Sequence, residues 1–267
     1  MKIMNYNIRN GFCNEVKPYK FDEKRLKLVS NILEKEKPNI LILTEAYFWP
    51  FAKQVLMKNF NTIFNRMYKF YENPKDHFRY APIVLSKFPI KSYDYSMAEF
   101  QLNYLRVVLE IDKKEIKLDV FHPHPEKSEK EKVKFLDKIF SKYGTPVLLV
   151  GDFNSISVKD NYDKKRLLEG YKTFMKNPEN KVDELLTGET ISFVENKCFM
   201  DTFNSEKKQW NFTVPTDLLS KHKDSGIRID YIFCSKDFEV NDAGIIINKE
   251  TEMASDHYPV YADIELK

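Results

Sequence analysis

With 267 residues, 42% hydrophobic and 14% aromatic, the chain can bury a sizeable core, which excludes a globally disordered polypeptide. Its 43 basic and 40 acidic residues leave a net charge of only +3, so a uniformly basic nucleic-acid coat is excluded, although a local basic cleft is not. Cys13, Cys198 and Cys234 are odd in number and widely spaced, which fits neither a disulfide framework nor a zinc knuckle and favours a reducing compartment.

Residues 2–8 read as a short strand with Asn7 near its end, followed by a polar loop over 9–20. From Phe21 onward Leu26, Leu28, Val29, Ile32 and Leu33 recur at helical spacing, with Asp22 as N-cap and Pro38 as the stop. Asn39-Ile40-Leu41-Ile42-Leu43 is a second buried strand and delivers Thr44-Glu45. A charge directly after an all-apolar strand calls for a partner or a cation. A helix over 50–58 and strands over 62–65 and 81–86 are expected around the aromatic, basic loop 66–80. Residues 105–111 and 115–121 form an expected antiparallel hairpin, turned at Asp112-Lys113-Lys114. Its second strand runs into His122-Pro123-His124-Pro125, where the prolines should stop the strand and hold both imidazoles just beyond it.

Ser128 and Glu131 make a capping box, and Val133, Leu136, Ile139 and Phe140 give the helix its face. That helix leads into Val147-Leu148-Leu149-Val150, a strand buried on both faces and ended by Gly151. Alternation along extended chain would put Asp152 and Asn154 on one side of the backbone. A plain polar turn would look the same in isolation. Helices are expected over 164–176 and 178–187, the second with Asn177 as cap and Pro178 in its first turn. After a polar-aromatic loop, 203–226, the run Arg228-Ile229-Asp230-Tyr231-Ile232-Phe233 places an aspartate in an apolar strand, which is costly unless it is partnered. Ser255-Asp256-His257-Tyr258-Pro259 opens a last strand over 260–266. Hairpins interleaved with helical crossovers point to sheets covered by helices. No linker, low-complexity run or repeat divides the chain, so a single domain over 1–267 is expected. There is no apolar leader after Met1 and no run of membrane-spanning length, so the expectation is a cytoplasmic monomer without membrane insertion.

The polar residues that end or interrupt these strands share one chemistry. Asn7, Glu45, His122, Asp152, Asn154, Asp230, Asp256 and His257 supply carboxylates, amides and imidazoles with no catalytic thiol. An oxygen-rich set of this kind suits Mg²⁺ or Mn²⁺.

Five of these stretches, in chain order, resemble the motifs of the endonuclease/exonuclease/phosphatase (DNase I-like) superfamily. They are Asn5-Tyr6-Asn7-Ile8-Arg9-Asn10-Gly11, Leu43-Thr44-Glu45, Gly151-Asp152-Phe153-Asn154, the run 228–233 and the run 255–259. The run 83–90, Ile-Val-Leu-Ser-Lys-Phe-Pro-Ile, is similar to that superfamily's inner-sheet strand and turn, although Tyr80-Ala81-Pro82 stands where a small residue or glycine is usual. The resemblance implies an α/β fold, a four-layer sandwich of two mostly antiparallel sheets face to face with helices outside and the site at one sheet end. It also implies a Mg²⁺-dependent phosphoesterase, with Mn²⁺ as the alternative cation. In that frame Glu45 would be the principal metal ligand, with Asn7 beside it and Asp256 as a further ligand. Asp152 would orient or deprotonate the attacking water, and Asn154 would hold a phosphate oxygen. His257, polarised by Asp230, would face the phosphorus. His122 would stabilise phosphate charge or assist the leaving group; His124 is the alternative imidazole and joins Arg106 and Asn154 as a substrate-binding candidate.

Other readings explain less. His122-x-His124 could begin a dinuclear zinc site, but no third ligand stands at the expected local spacing. No Gly-x-Ser-x-Gly elbow is present, and a non-enzymatic module of this fold would be expected to have lost at least one site residue. The expected reaction is phosphodiester hydrolysis, of nuclease type, with a phosphomonoesterase on inositol or sugar phosphates or a lipid phosphodiesterase as the alternative. Loops 12–20, 65–80 and 203–227 carry Arg66, Lys69, Lys75, Arg79, Lys207, Lys208, Lys221 and Lys223 among Tyr68, Phe70, Tyr71, Phe78, Trp210 and Phe212. Basic and aromatic side chains so interleaved suit a nucleic-acid partner, and equally suit solvated loop charges among packing aromatics.

Overall fold

The computed structural model describes residues 1–13, 20–46, 82–95, 101–140, 146–203, 212–221 and 223–267. Eleven strands are described: β1 (Lys2–Asn7), β2 (Ile40–Thr44), β3 (Ile83–Ser86), β4 (Ile90–Asp94), β5 (Leu102–Ile111), β6 (Lys114–Pro123), β7 (Val147–Asp152), β8 (Met200–Asp201), β9 (Asp230–Cys234), β10 (Phe238–Ile245) and β11 (Val260–Leu266). They form a five-stranded sheet, β10-β11-β1-β2-β3, and a six-stranded sheet, β4-β5-β6-β7-β9-β8. The neighbours β1–β2 and β6–β7 run parallel; the other described pairs are antiparallel.

Alternation sorts each strand between two environments. Ile3, Ile40 and Ile42 of one sheet pack against Val107, Leu118, Val120, Leu148, Val150 and Ile232 of the other, filling the space between the sheets. The opposite faces are covered by helices. On the five-stranded sheet, Leu26, Val29, Ile32 and Leu33 of α1 (Glu23–Glu36) lie on Met4, Tyr6, Leu41 and Leu43. On the six-stranded sheet, α2 (Glu129–Phe140) and α5 (Glu189–Asn196) bring Phe135, Leu136, Ile139, Ile191 and Val194 onto Phe121, Leu149, Phe153 and Phe233. The short helices α3 (Lys164–Tyr171) and α4 (Glu179–Leu186) close a smaller cluster around Ile156, Ile227 and Ile229. One further turn of helix, α6 (Thr251–Ala254), packs on α1. This is the expected four-layer α/β sandwich. No described helix is long and apolar enough to cross a membrane.

Several local expectations hold in detail. Asp22 caps α1 by accepting the N–H groups of Lys24 and Arg25. The Ser128–Glu131 capping box forms in both directions. The hairpin over 102–123 and the last strand are present.

Others need correction. β6 does not stop before its prolines: it runs through Pro123, and His122 sits inside the strand opposite Asn103. A proline at a strand's last position forfeits a single ladder bond, so it is tolerated there. Nor does Gly151 end β7, which continues to Asp152. Gly151 has φ +147°, and a Cβ there would lie 2.1 Å from the carbonyl oxygen of Phe121, so close strand approach is what demands glycine. Helix α3 ends at Tyr171 rather than near 176, and α4 has Pro178 at its cap position with no side-chain cap bond, in place of an Asn177 cap. Strands β4, β8 and β10 and helix α5 were not foreseen. The helix expected over 50–58 and the strand over 62–65 lie outside the described residues.

Candidate active site

The alternation that fills the sandwich with apolar side chains also builds the site. The inward series Ile3, Val120, Val150 and Ile232 belongs to the core, and the next inward position on each strand is Asn5, His122, Asp152 and Asp230. These polar groups therefore gather at one end of the inter-sheet space, on the ends of rigid strands, and all are buried.

Asp152 and Asp230 are cross-strand partners on β7 and β9. Two adjacent residues of β1's inward face attend to them: Asn7 Nδ2 donates to Asp152 Oδ2 at 3.0 Å, and Asn5 Nδ2 donates to Asp230 Oδ1 at 3.2 Å. His257 Nδ1 lies 2.8 Å from Asp230 Oδ2, while its Nε2 faces Asp152 Oδ2 at 3.9 Å. His122 Nε2 approaches the same Asp152 oxygen at 3.7 Å. Two imidazoles thus converge on one carboxylate. Burial, then the Asp230 carboxylate, push the Asp152 carboxyl above the usual range, and His257 and His122 pull it partly back. For His257 burial alone would favour the neutral ring, but Asp230 foremost, with Asp152 and Asp256, lifts it well above its ordinary value. An imidazolium held by one acid and aimed past another is an oriented proton donor beside a carboxylate base.

A second group of oxygens adjoins the first through Asn7. The Asn7 Nδ2 that reaches Asp152 also donates to Glu45 Oε1 at 3.2 Å, and the Asn10 N–H donates to Glu45 Oε2 at 2.9 Å. Glu45 itself has φ +52°, a left-handed conformation uncommon for glutamate. Asp256 is steadied by the Ser255 hydroxyl, which reaches its Oδ1 at 3.2 Å and the Asn7 carbonyl at 2.7 Å; Arg9 Nε lies 3.5 Å from Asp256 Oδ2. Among the described residues, four carboxylates, Glu45, Asp152, Asp230 and Asp256, thus share one region with fewer cationic groups, Arg9, Arg25 and the His257 imidazole. That surplus of hard anionic oxygen fits a divalent cation of the Mg²⁺ kind. One ligand atom each from Asp152, Asp230 and His257 also lies within 4.8 Å of the other two.

Asn154 joins the site differently from the expectation. Its φ is +46°, so strand alternation does not extend to it. Instead its backbone N–H donates to Asp152 Oδ1 at 2.9 Å and its Nδ2 donates to the Pro123 carbonyl at 2.9 Å. His124 stands on the turn after β6, where its Nδ1 accepts the Glu126 N–H. Arg106 is on the helix-covered face of its sheet, with Nε and Nη2 each 2.8 Å from the Asp119 carboxylate oxygens. Neither is brought into the acid–imidazole cluster. Lys223 of the 203–227 loop is engaged by Glu252, Asp217 and Tyr258, and Lys221 by Asp217. The other basic residues expected to contact substrate lie outside the described residues.

Three contributors escaped the sequence reading. Asn5 was signalled by its i, i+2 spacing from Asn7. Ser255 ties the two motif ends of the chain together. Arg25 of α1, buried, donates from Nε to the Ala254 carbonyl at 2.8 Å and from Nη2 to that of Ile8 at 2.7 Å, bracing both segments; its helical position gave no such signal.

Two face-to-face sheets with helices outside and acids and imidazoles at one sheet end define the DNase I-like α/β sandwich. The chain belongs to the endonuclease/exonuclease/phosphatase family, whose model matches residues 4–257. Members of that family are phosphoesterase hydrolases and are in general dependent on a divalent metal. Among solved structures, an AP endonuclease from Archaeoglobus fulgidus is similar with a TM-score of 0.71 at 17% identity, covering 100% of both chains. A family protein from Leptotrichia buccalis gives 0.67 at 16% identity, again over 100% of both chains. TDP2 from D. rerio, complexed with single strand DNA product, gives 0.64 at 16% identity over 99% of this chain and 98% of that one. No curated protein matches this chain by sequence.

Proposed function

We propose that this chain is a Mg²⁺-dependent phosphodiester hydrolase of nuclease type, acting as a cytoplasmic monomer. The observation that carries the reading is the convergence of His257 and His122 on Asp152, with Asp230 holding His257 from behind. Phosphoryl transfer asks for charge neutralisation and in-line positioning rather than covalent catalysis. A divalent cation held by Glu45, with Asn7 and Asp256 alongside, would neutralise phosphate charge. Asp152, its carboxyl raised toward the working range of a base, orients the attacking water and takes its proton. The His257 Nε2–H donates to a phosphate oxygen as negative charge builds there, and the ring keeps its orientation through Nδ1 and Asp230. His122 adds a second imidazole to the same charge. The Asn154 side chain, fixed on Pro123, borders the phosphate position.

Nucleic acid is the favoured substrate because two structures of the same fold carry names that point to it, an AP endonuclease and TDP2 complexed with single strand DNA product. A phosphomonoesterase on a small sugar or inositol phosphate would use the same site. Salt separates the two. Binding of a DNA or RNA oligonucleotide to the Asp152→Asn protein should weaken by orders of magnitude between about 50 and 200 mM salt if several phosphates are contacted. A flat response would overturn the nucleic-acid reading and leave the small phosphates.

A further inference from the structure

The N-terminal half of α2 holds a charged cluster that the reaction scheme above does not use. Lys132 is fully buried, and Glu129, Ser155 and Thr190 around it are buried as well. The Lys132 ammonium spends its three protons on Glu129 Oε1 at 2.9 Å, Ser155 Oγ at 2.9 Å and the main-chain oxygen of Asn154 at 2.6 Å. Ser155 Oγ donates in turn to Glu129 Oε1 at 2.6 Å, and Glu129 Oε2 accepts the Thr190 N–H at 2.9 Å. Burial alone would raise the Glu129 carboxyl; Lys132 leads the contacts that instead hold it below its ordinary value.

Docking α2 on its sheet does not require this charge. Phe135, Leu136 and Ile139 already bury that face, and a well-packed apolar side chain in place of a buried ion pair is often neutral or stabilising. What an apolar residue would not do is grip a carbonyl. The carbonyl gripped belongs to Asn154, a non-glycine residue in the left-handed region whose N–H lies on Asp152 Oδ1 and whose side chain lies on the Pro123 carbonyl, one residue after His122. All three polar handles of Asn154 (N–H, carbonyl and side-chain amide) are therefore fixed at once.

We infer that Lys132, with Glu129 as its counter-charge, is a positioning residue that acts through the Asn154 main chain to set the placement of the Asn154 side chain. The role rests on the proposed phosphoesterase reaction, but the anchor itself can be tested without a substrate. Lys132→Met alone strands a buried carboxylate and can simply fail to fold, so the informative protein is the double variant Glu129→Gln/Lys132→Met, which removes both charges.

The first readout is hydrogen exchange at the Asn154 backbone N–H, followed by nuclear magnetic resonance in the full-length parent and double variant. Exchange there should accelerate at least about tenfold while the core amides of Leu148 and Ile232 keep their parental rates. Unchanged exchange at Asn154, or a uniform change at all three, overturns the anchor. The second readout is a kinetic cycle with Asn154→Ala. The double variant should lower kcat at least about tenfold in the parent and less than about twofold once Asn154 is already alanine, because coupled residues are not additive. Equal losses in both backgrounds reduce the cluster to a structural staple. A parent without phosphoesterase activity would refute the reaction assignment, and the exchange result would still decide the anchor.

Discussion

Asp152 and Asp230 stand directly opposite each other on β7 and β9, and His257 closes on both, 2.8 Å from Asp230 Oδ2 and 3.9 Å from Asp152 Oδ2. Like charges in cross-strand register are destabilising. The imidazolium and the two β1 amides, Asn5 and Asn7, are what make this pair tolerable. In the proposed reaction, the same pair would give one acid placed to accept a proton and another that orients the donor.

Asp152→Asn should separate those two quantities. Activity should fall by about two to four orders of magnitude, the usual worth of a positioned acid or base. Without metal, the melting temperature should equal or exceed that of the parent, because a buried carboxylate facing another has been removed. Calorimetry beside a turnover assay measures both; near-normal turnover would sink the base assignment.

His257→Ala removes the group between the two acids. Turnover should again drop by about two to four orders of magnitude, with the far-ultraviolet circular dichroism spectrum unchanged. A parental rate in this variant would contradict the role given to the imidazole.

Glu45→Gln keeps the shape of the side chain and halves its capacity as a hard ligand. The Mg²⁺ concentration for half-maximal activity should rise at least about tenfold. A metal titration that overlays the parent's would show that Glu45 is not the principal ligand.

Gly151→Ala forces a Cβ to within 2.1 Å of the Phe121 carbonyl oxygen at φ +147°. Overpacking and backbone strain cost about 1–3 kcal/mol each, so urea unfolding should show a loss of roughly 3 kcal/mol or more. A loss below about 1 kcal/mol would mean that the β6–β7 approach relaxes easily.

The α2 cap carries a pH signature. The Ser128 N–H foremost, then its hydroxyl and Lys127, draw Glu131 down to about 2 from an ordinary 4.5. A depressed carboxyl stabilises the fold above its unfolded value and loses that contribution as pH falls toward the folded one. The parent should therefore exceed Glu131→Gln in urea resistance above pH 5, and the difference should shrink between pH 4.5 and 2. A pH-independent gap would count against the capping box.

What the sequence made legible was mostly local. Asp22, the Ser128–Glu131 box and the strand over 260–266 announce themselves through cap chemistry and period, and the ordered motifs named most of the cluster. What it hid depends on pairing. His122 lies within β6 because that strand extends opposite Asn103, which Pro123 concealed. β10 carries no plain strand pattern because Asn241-Asp242-Ala243-Gly244 is polar and small, and a register shift between Val240 and Asp242 interrupts it. Lys132 looked like one lysine in the run Glu129-Lys130-Glu131-Lys132, since periodicity does not reveal that one of these charges is buried on a turn of another strand. Asn5 needed the facing sheet to show its purpose.

The most direct measurement is hydrolysis of a panel holding single-stranded DNA, duplex DNA with an abasic site, RNA, a 5′-phosphotyrosyl oligonucleotide and inositol phosphates. Each is incubated with Mg²⁺ or with EDTA, beside the Asp152→Asn protein. The account predicts Mg²⁺-dependent cleavage of a nucleic-acid substrate that EDTA and the substitution both abolish. Cleavage that persists in EDTA or in Asp152→Asn, or activity confined to inositol phosphates, would contradict it.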